Sequence, residues 1–162
     1  MPTATYIPLA TITLSSTDSE IVFANVPNTY RDLVLVADFT AATTTNDELL
    51  IRLNNDSGGN YSQVKMVGNG SSTSSSSVSG VNGARIGYGP NSSTRSNAIA
   101  QIMDYSATDK HKTILTRTNE PDEVWATACR WANTAAVTSV SFRYESTSLA
   151  SGTTVSLYGI LG

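Results

Sequence analysis

Apolar residues return every second position along this chain, and nowhere do they hold the three-to-four spacing of an amphipathic helix. From Val124 to Trp131, Trp125, Thr127, Cys129 and Trp131 alternate with Val124, Ala126, Ala128 and Arg130. Both indoles and the thiol therefore share one face of a strand. Leu49, Ile51 and Leu53 alternate in the same way with Glu48, Arg52 and Asn54, which predicts a half-buried strand. "DLVLVADF", Asp32 to Phe39, is apolar on both faces and is expected to lie centrally in a sheet.

Eight more strands are expected at Tyr6 to Leu14, Glu20 to Asn25, Tyr61 to Val67, Ala84 to Tyr88, Asn97 to Tyr105, Lys112 to Arg117, Val137 to Tyr144 and Thr154 to Leu161. Ten to eleven short strands separated by turn residues predict an all-β fold, an antiparallel β-sandwich of jelly-roll type. Composition agrees: charged residues make up 14% of the 162 positions, well under the usual quarter, and Ser, Thr and Asn fill the polar sites. One domain over residues 1–162 is expected, with an extended amino-terminal arm over 1–8. "GNGSSTSSSSVSGVNG", Gly68 to Gly83, has little apolar surface to offset its ordering entropy and reads as a mobile loop over 68–83, or as an excursion that orders against a partner.

Charge and cysteine content exclude several activities. The net charge is −3, and the ten Lys and Arg are scattered, so there is no concentrated positive field for nucleic acid. The single cysteine, Cys129, precludes an intrachain disulfide and a Cys-based zinc site, and its position among core residues reads as packing rather than as a reactive thiol. "MPTATYIPLATITL" has no basic segment before its apolar residues, and no run approaches the roughly 18 residues of a membrane span, so a cytosolic site of synthesis and assembly is expected. In that compartment the acceptor patterns at Asn55, Asn60, Asn69 and Asn91 stay unmodified.

"RLNNDSGGNYSQV", Arg52 to Val64, leaves four readings open: metal loop, sugar loop, glycan acceptor or turn. Counted as a Ca2+ loop from Asn54, it places Asp56 third but Gly58 fifth and Lys65 twelfth, where the bidentate acid belongs. As a turn, Leu49–Leu53 and Tyr61–Val67 read as hairpin partners, Asp56 and Ser57 bond local backbone groups, and Gly58 and Gly59 supply positive φ. His111, the one histidine, sits between lysines in "TDKHKT" and reads as solvated surface. Glu120, Asp122 and Glu123 in "NEPDEVW" read as a solvated acidic turn, and "GVNGARIGYGPN" lacks the strand-to-helix context of a phosphate loop. Trp125 and Trp131 fit a core better than a sugar platform, while Tyr61 and Tyr88 are the aromatics expected to be exposed if a glycan binds. No catalytic residue, cofactor or metal site is predicted.

Several blocks, read in order, resemble small structural proteins of tailed bacteriophages, marine and cyanobacterial ones in particular. The blocks are "IVFANVPNTYRDLVLV" (21–36), "LLIRLNNDSGGNYS" (49–62), "DYSATDKHKTILTR" (104–117), "WANTAAVTSVSF" (131–142) and "LASGTTVSLYGILG" (149–162). The resemblance implies a virion protein without enzyme activity, either a capsid decoration (cement) protein or a tail- or head-fibre domain that binds receptor carbohydrate. With its first strand near Met1 and its last at Gly162, the chain leaves no shaft, which favours decoration. The implied partners are the major capsid protein and further copies of the chain, as a homotrimer on the capsid surface, clamping subunits together. Tyr6 and Ile7 are the expected interface anchors, through addition of the arm to a neighbour's sheet edge.

Overall fold

The computed structural model describes residues 5–44, 47–89 and 94–162. Its twelve strands are β1 Tyr6–Thr13, β2 Glu20–Phe23, β3 Asp32–Phe39, β4 Glu48–Leu53, β5 Tyr61–Gly68, β6 Thr73–Val81, β7 Ala84–Tyr88, β8 Ser96–Met103, β9 Lys112–Asn119, β10 Val124–Trp131, β11 Val140–Tyr144 and β12 Thr154–Ile160. An eight-stranded sheet runs β1-β12-β3-β8-β9-β10-β5-β6, and a four-stranded sheet runs β2-β11-β4-β7. All strand pairs are antiparallel. Terminal strands pair first (β1 with β12), the next pair inward (β2 with β11) goes to the other sheet, and the chain so rolled is a jelly-roll sandwich. No helix among the described residues is long and apolar enough to cross a membrane.

The core lies between the two sheets. β3 contributes Leu33, Leu35, Ala37 and Phe39, and β4 and β11 answer with Leu49, Ile51, Leu53, Val140 and Phe142, all essentially inaccessible. Each large apolar side chain so buried stabilises the fold by about 1.5–3 kcal/mol relative to exposure. Phe39 meets Phe142 edge to face at 5.3 Å, and Tyr61 stacks against Trp131 at 6.4 Å. Trp125, Thr127, Cys129 and Trp131 are all buried on the inner face, as the alternation requires.

Two segments depart from the sequence expectation. The Ser-rich stretch is no loop: Thr73–Val81 pairs with the whole of β5 as the edge strand β6. Its serines face solvent, and Val78 and Val81 near its end are what it contributes to the core. The turn that launches it is Asn69-Gly70, with Gly70 at φ 81° and the Asn69 carboxamide oxygen accepting from the Ser71 and Ser72 N–H groups at 3.0 and 2.7 Å.

The second departure is the Asn54–Asn60 connection. β4 and β5 are not hairpin partners, because they belong to opposite sheets, and the segment crosses between them. Positive φ falls on Asn54 and Asn55, at 54° and 55°, rather than on Gly58 and Gly59. The amino-terminal arm is likewise built into the fold from Tyr6 onward, pairing Tyr6 with Ile160 and Ile7 with Gly159. Residues 1–4 of that arm, and Asn91 among the acceptor patterns, lie outside the described residues.

Candidate functional surface

The small sheet covers the inner face of the large one, and the outer face of the large sheet stays open. Strand register sets its side chains in rows. One row runs Ser156, Val36, Ile99, Arg117, Ala126, Met66 and Ser75 across β12, β3, β8, β9, β10, β5 and β6. The adjacent row runs Tyr158, Val34, Gln101, Leu115, Ala128, Val64 and Ser77. Six apolar side chains here remain substantially exposed: Val36, Val64, Met66, Ile99, Leu115 and Val124, with Met66 at 62% and Val124 at 61%.

Val36, Ile99, Ala126, Met66 and Val124 line a groove of about 1060 Å³, with Asn97, Asn119 and the β6 serines at its margins. Arg117 is the single ionisable side chain in its lining among the described residues. With one guanidinium and no carboxylate or imidazole among the described residues, this lining holds no paired proton donor and acceptor. Exposed aromatic faces, which a sugar platform needs, are missing from its lining: Trp125 is buried, and Tyr61, expected at the surface, is fully buried with its hydroxyl accepting from the Leu53 N–H at 2.9 Å.

The charged cluster of the molecule lies elsewhere, where β7 of the small sheet meets β5 and β9 of the large one. Arg85 grips Glu48 through Nε and Nη1 at 2.8 and 2.9 Å, and Glu145 stands 3.7 Å from its Nη2. Burial, with Glu145 adding to it against Arg85, raises the Glu48 pKa. Lys65 lies 4.0 Å above the Trp125 ring and 5.7 Å from the Tyr88 ring. Glu120 was expected in a solvated turn; it is half-buried instead, accepts from the Tyr88 N–H at 2.7 Å, and has its pKa raised by burial and then by Glu123.

These groups close an edge. Along β7, Gln63 Oε1 accepts from the Arg85 N–H at 2.9 Å, the Thr118 hydroxyl donates to the Ile86 carbonyl at 2.7 Å, and Glu120 takes the Tyr88 N–H. The free rim of the small sheet is thereby spent on side chains of the large sheet. The cleft left beside it, about 110 Å³, is too small to seat an organic substrate.

The Asn54–Asn60 segment is structural in the same sense. Asp56 accepts from the Trp131 indole N–H at 2.7 Å, the Asn60 amide at 2.8 Å and the Gly58 N–H at 2.9 Å. Burial acts to raise its pKa, but those three donors outweigh burial and hold it below the ordinary value. Asn54 clamps the approach to β11, accepting from the Thr138 and Ser139 N–H groups and donating to the Ala136 carbonyl at 2.8 Å. Asp56 thus carries three hydrogen bonds, and among the described residues no three His, Cys, Asp or Glu side chains converge on one point.

The other residues singled out from sequence fall apart in space. His111 is exposed ahead of β9, and Cys129 is buried with its thiol pushed up to about 12 by burial. Tyr6, 53% exposed, meets Tyr158 edge to face at 6.4 Å on the first strand of the large sheet, while Ile7 is half-buried beside it. The outer-face residues were not singled out at all. Their signal was present as apolar residues on both faces of β3, β5 and β10.

No family model matches the chain, and no curated protein matches it. Solved structures with a similar course of the chain include a galectin, LEC-6 of Caenorhabditis elegans, at 8% identity and TM-score 0.38 over 94% of this chain and 96% of that one. Alginate lyase Aly36B matches at 10% identity and TM-score 0.32 over 93% and 77%, and an endo-β-1,4-glucuronan lyase of the fungus Trichoderma reesei at 8% and 0.28 over 87% and 79%. These likenesses are distant, include both a galectin and enzymes, and say nothing of what this chain binds or does.

Proposed function

We propose that the chain is a structural protein of a tailed-phage virion, of the capsid decoration kind, and that it holds the shell through the outer face of its eight-stranded sheet. The observation that carries this reading is the row of exposed Val36, Ile99 and Met66 with half-buried Ala126 among them, bounded by small polar residues and interrupted by Arg117 alone. Contiguous exposed apolar surface on a folded domain marks a contact site. Low charge across that face suits a broad contact with little ionic desolvation, and the block-by-block resemblance to phage structural proteins supplies the partner, the major capsid protein.

Binding would stabilise the shell by mass action, because a protein that spans two subunits adds free energy only to the state in which both are in place. The non-enzymatic part of the reading is supported by a groove with one ionisable side chain, whose lining does not include His111. Quantitative mass spectrometry of purified virions tests the assignment. The expected result is a copy number comparable to the number of capsid lattice sites; a few copies per particle would point to a fibre, and absence would reject a virion role.

A further inference from the structure

We propose that β6 is a docking edge for a second copy of this chain, the two β6 strands pairing antiparallel about a two-fold axis near Ser76. The two eight-stranded sheets would join into one. This inference stands on the sheet edges and is independent of the virion assignment.

Four strand edges end the two sheets, and three of them are closed. β1 carries Pro8, which has no N–H to donate, and a register break between Pro8 and Ala10. β2 is only four residues long. β7 spends its outward groups on Gln63, Thr118 and Glu120, as described above. β6 has a register break only at Gly80, close to its end, and none of the other devices: it is nine residues long, contains no proline, and pairs regularly with β5 from Thr73 to Ser79, so over that length its other side presents a straight row of backbone groups. An edge of that kind is a template for another strand.

Charge argues that the occupant is a copy of the chain. From Met66 to Ala84 there is no Asp, Glu, Lys, Arg or His, although the molecule as a whole carries −3. A two-fold pair sets each residue of the strand against one from the same strand, so any charge near the axis would face its own like; this edge has none. About Ser76, Ser75 faces Ser77 and Thr73 faces Ser79, hydroxyl pairs that hydrogen-bond well across antiparallel strands. Both faces of β6 from Thr73 to Ser77 are exposed, so a joined sheet meets no obstructing element. A foreign partner strand selected by charge would find none on β6 to recognise. Pairing through one strand buries area at the low end for specific interfaces, so the dimer is expected to be concentration-dependent.

Sedimentation equilibrium of the full chain across the micromolar range tests this directly. Wild type is expected to approach twice its 17.1 kDa mass as concentration rises. The Ser75→Lys, Ser77→Lys double variant and the Ser75→Glu, Ser77→Glu double variant should each remain monomeric at low salt, and their equimolar mixture should recover the dimer. Thermal unfolding checks that each variant is folded; should one fail, the single Ser76→Lys substitution on the axis repeats the measurement. A wild type that stays monomeric, or reaches the trimer that the phage resemblance implies, overturns the proposal. Charge variants that keep the wild-type mass, or a mixture that stays monomeric, overturn it as well.

Discussion

The two faces of the eight-stranded sheet are built from similar apolar residues, but only one of them has a partner within the molecule. Leu35 points inward and is inaccessible; Val36, its chain neighbour, points outward and is 42% exposed. The same division separates Ala98 from Ile99, Ile114 from Leu115 and Trp125 from Val124. The inner face accounts for the fold. The outer face spends apolar residues on surface that the fold does not need, and that surplus is what a binding surface requires.

Equivalent truncations on the two faces should therefore differ. Leu35→Ala is expected to cost about 2–5 kcal/mol, because it removes transferred surface and leaves a cavity between the sheets. Asp56→Ala should come next at about 2 kcal/mol, since it strands the Trp131 indole N–H and releases the crossing that fixes the inner-face end of β10. Ile99→Ala, on the outer face, should stay within about 1 kcal/mol. Urea denaturation of the three variants checks the order, and an Ile99→Ala cost equal to that of Leu35→Ala would dissolve the distinction between the faces.

The acid side of the stability profile sharpens the same contrast. The Asp56 pKa is depressed below 3.8 in the fold, so its contribution is complete above pH 3.8 and disappears as pH falls through the folded value. Glu48 and Glu120 act in the opposite sense: their pKa values are raised above 4.5, so their contribution is greatest below pH 4.5 and declines as pH rises through the folded values. Asp56→Asn should accordingly flatten the loss of stability below pH 3.8 and leave the profile at higher pH unchanged. Chemical denaturation at a series of pH values measures it.

Alternation in the sequence located eleven of the strands and the inner face of β10, because period two is a local signal, but it read β4 as half-buried where both of its faces are buried, Leu50 and Arg52 included. β6 was missed because its residues give no apolar pattern; its local mark was Asn69-Gly70, a strong hairpin signal hidden inside a serine run. The assignment of β4 and β5 to different sheets was not legible, since it depends on β11 and β10 arriving from far along the chain. Asp56 read as local turn chemistry, and its bond to Trp131 joins residues 75 positions apart. The candidate surface was hidden for a related reason: apolar residues on both faces of a strand predict burial on both, and only the count of strands in the second sheet shows that one face is left uncovered.

Add-back of purified protein to capsids assembled without it tests the central claim, that the outer face is the binding surface. Wild type should bind saturably, at a stoichiometry set by the capsid lattice, while the Met66→Glu, Ile99→Glu double variant, folded with nearly unchanged stability, should not bind. Equal binding by the two proteins, or no saturable binding by wild type, would contradict the account.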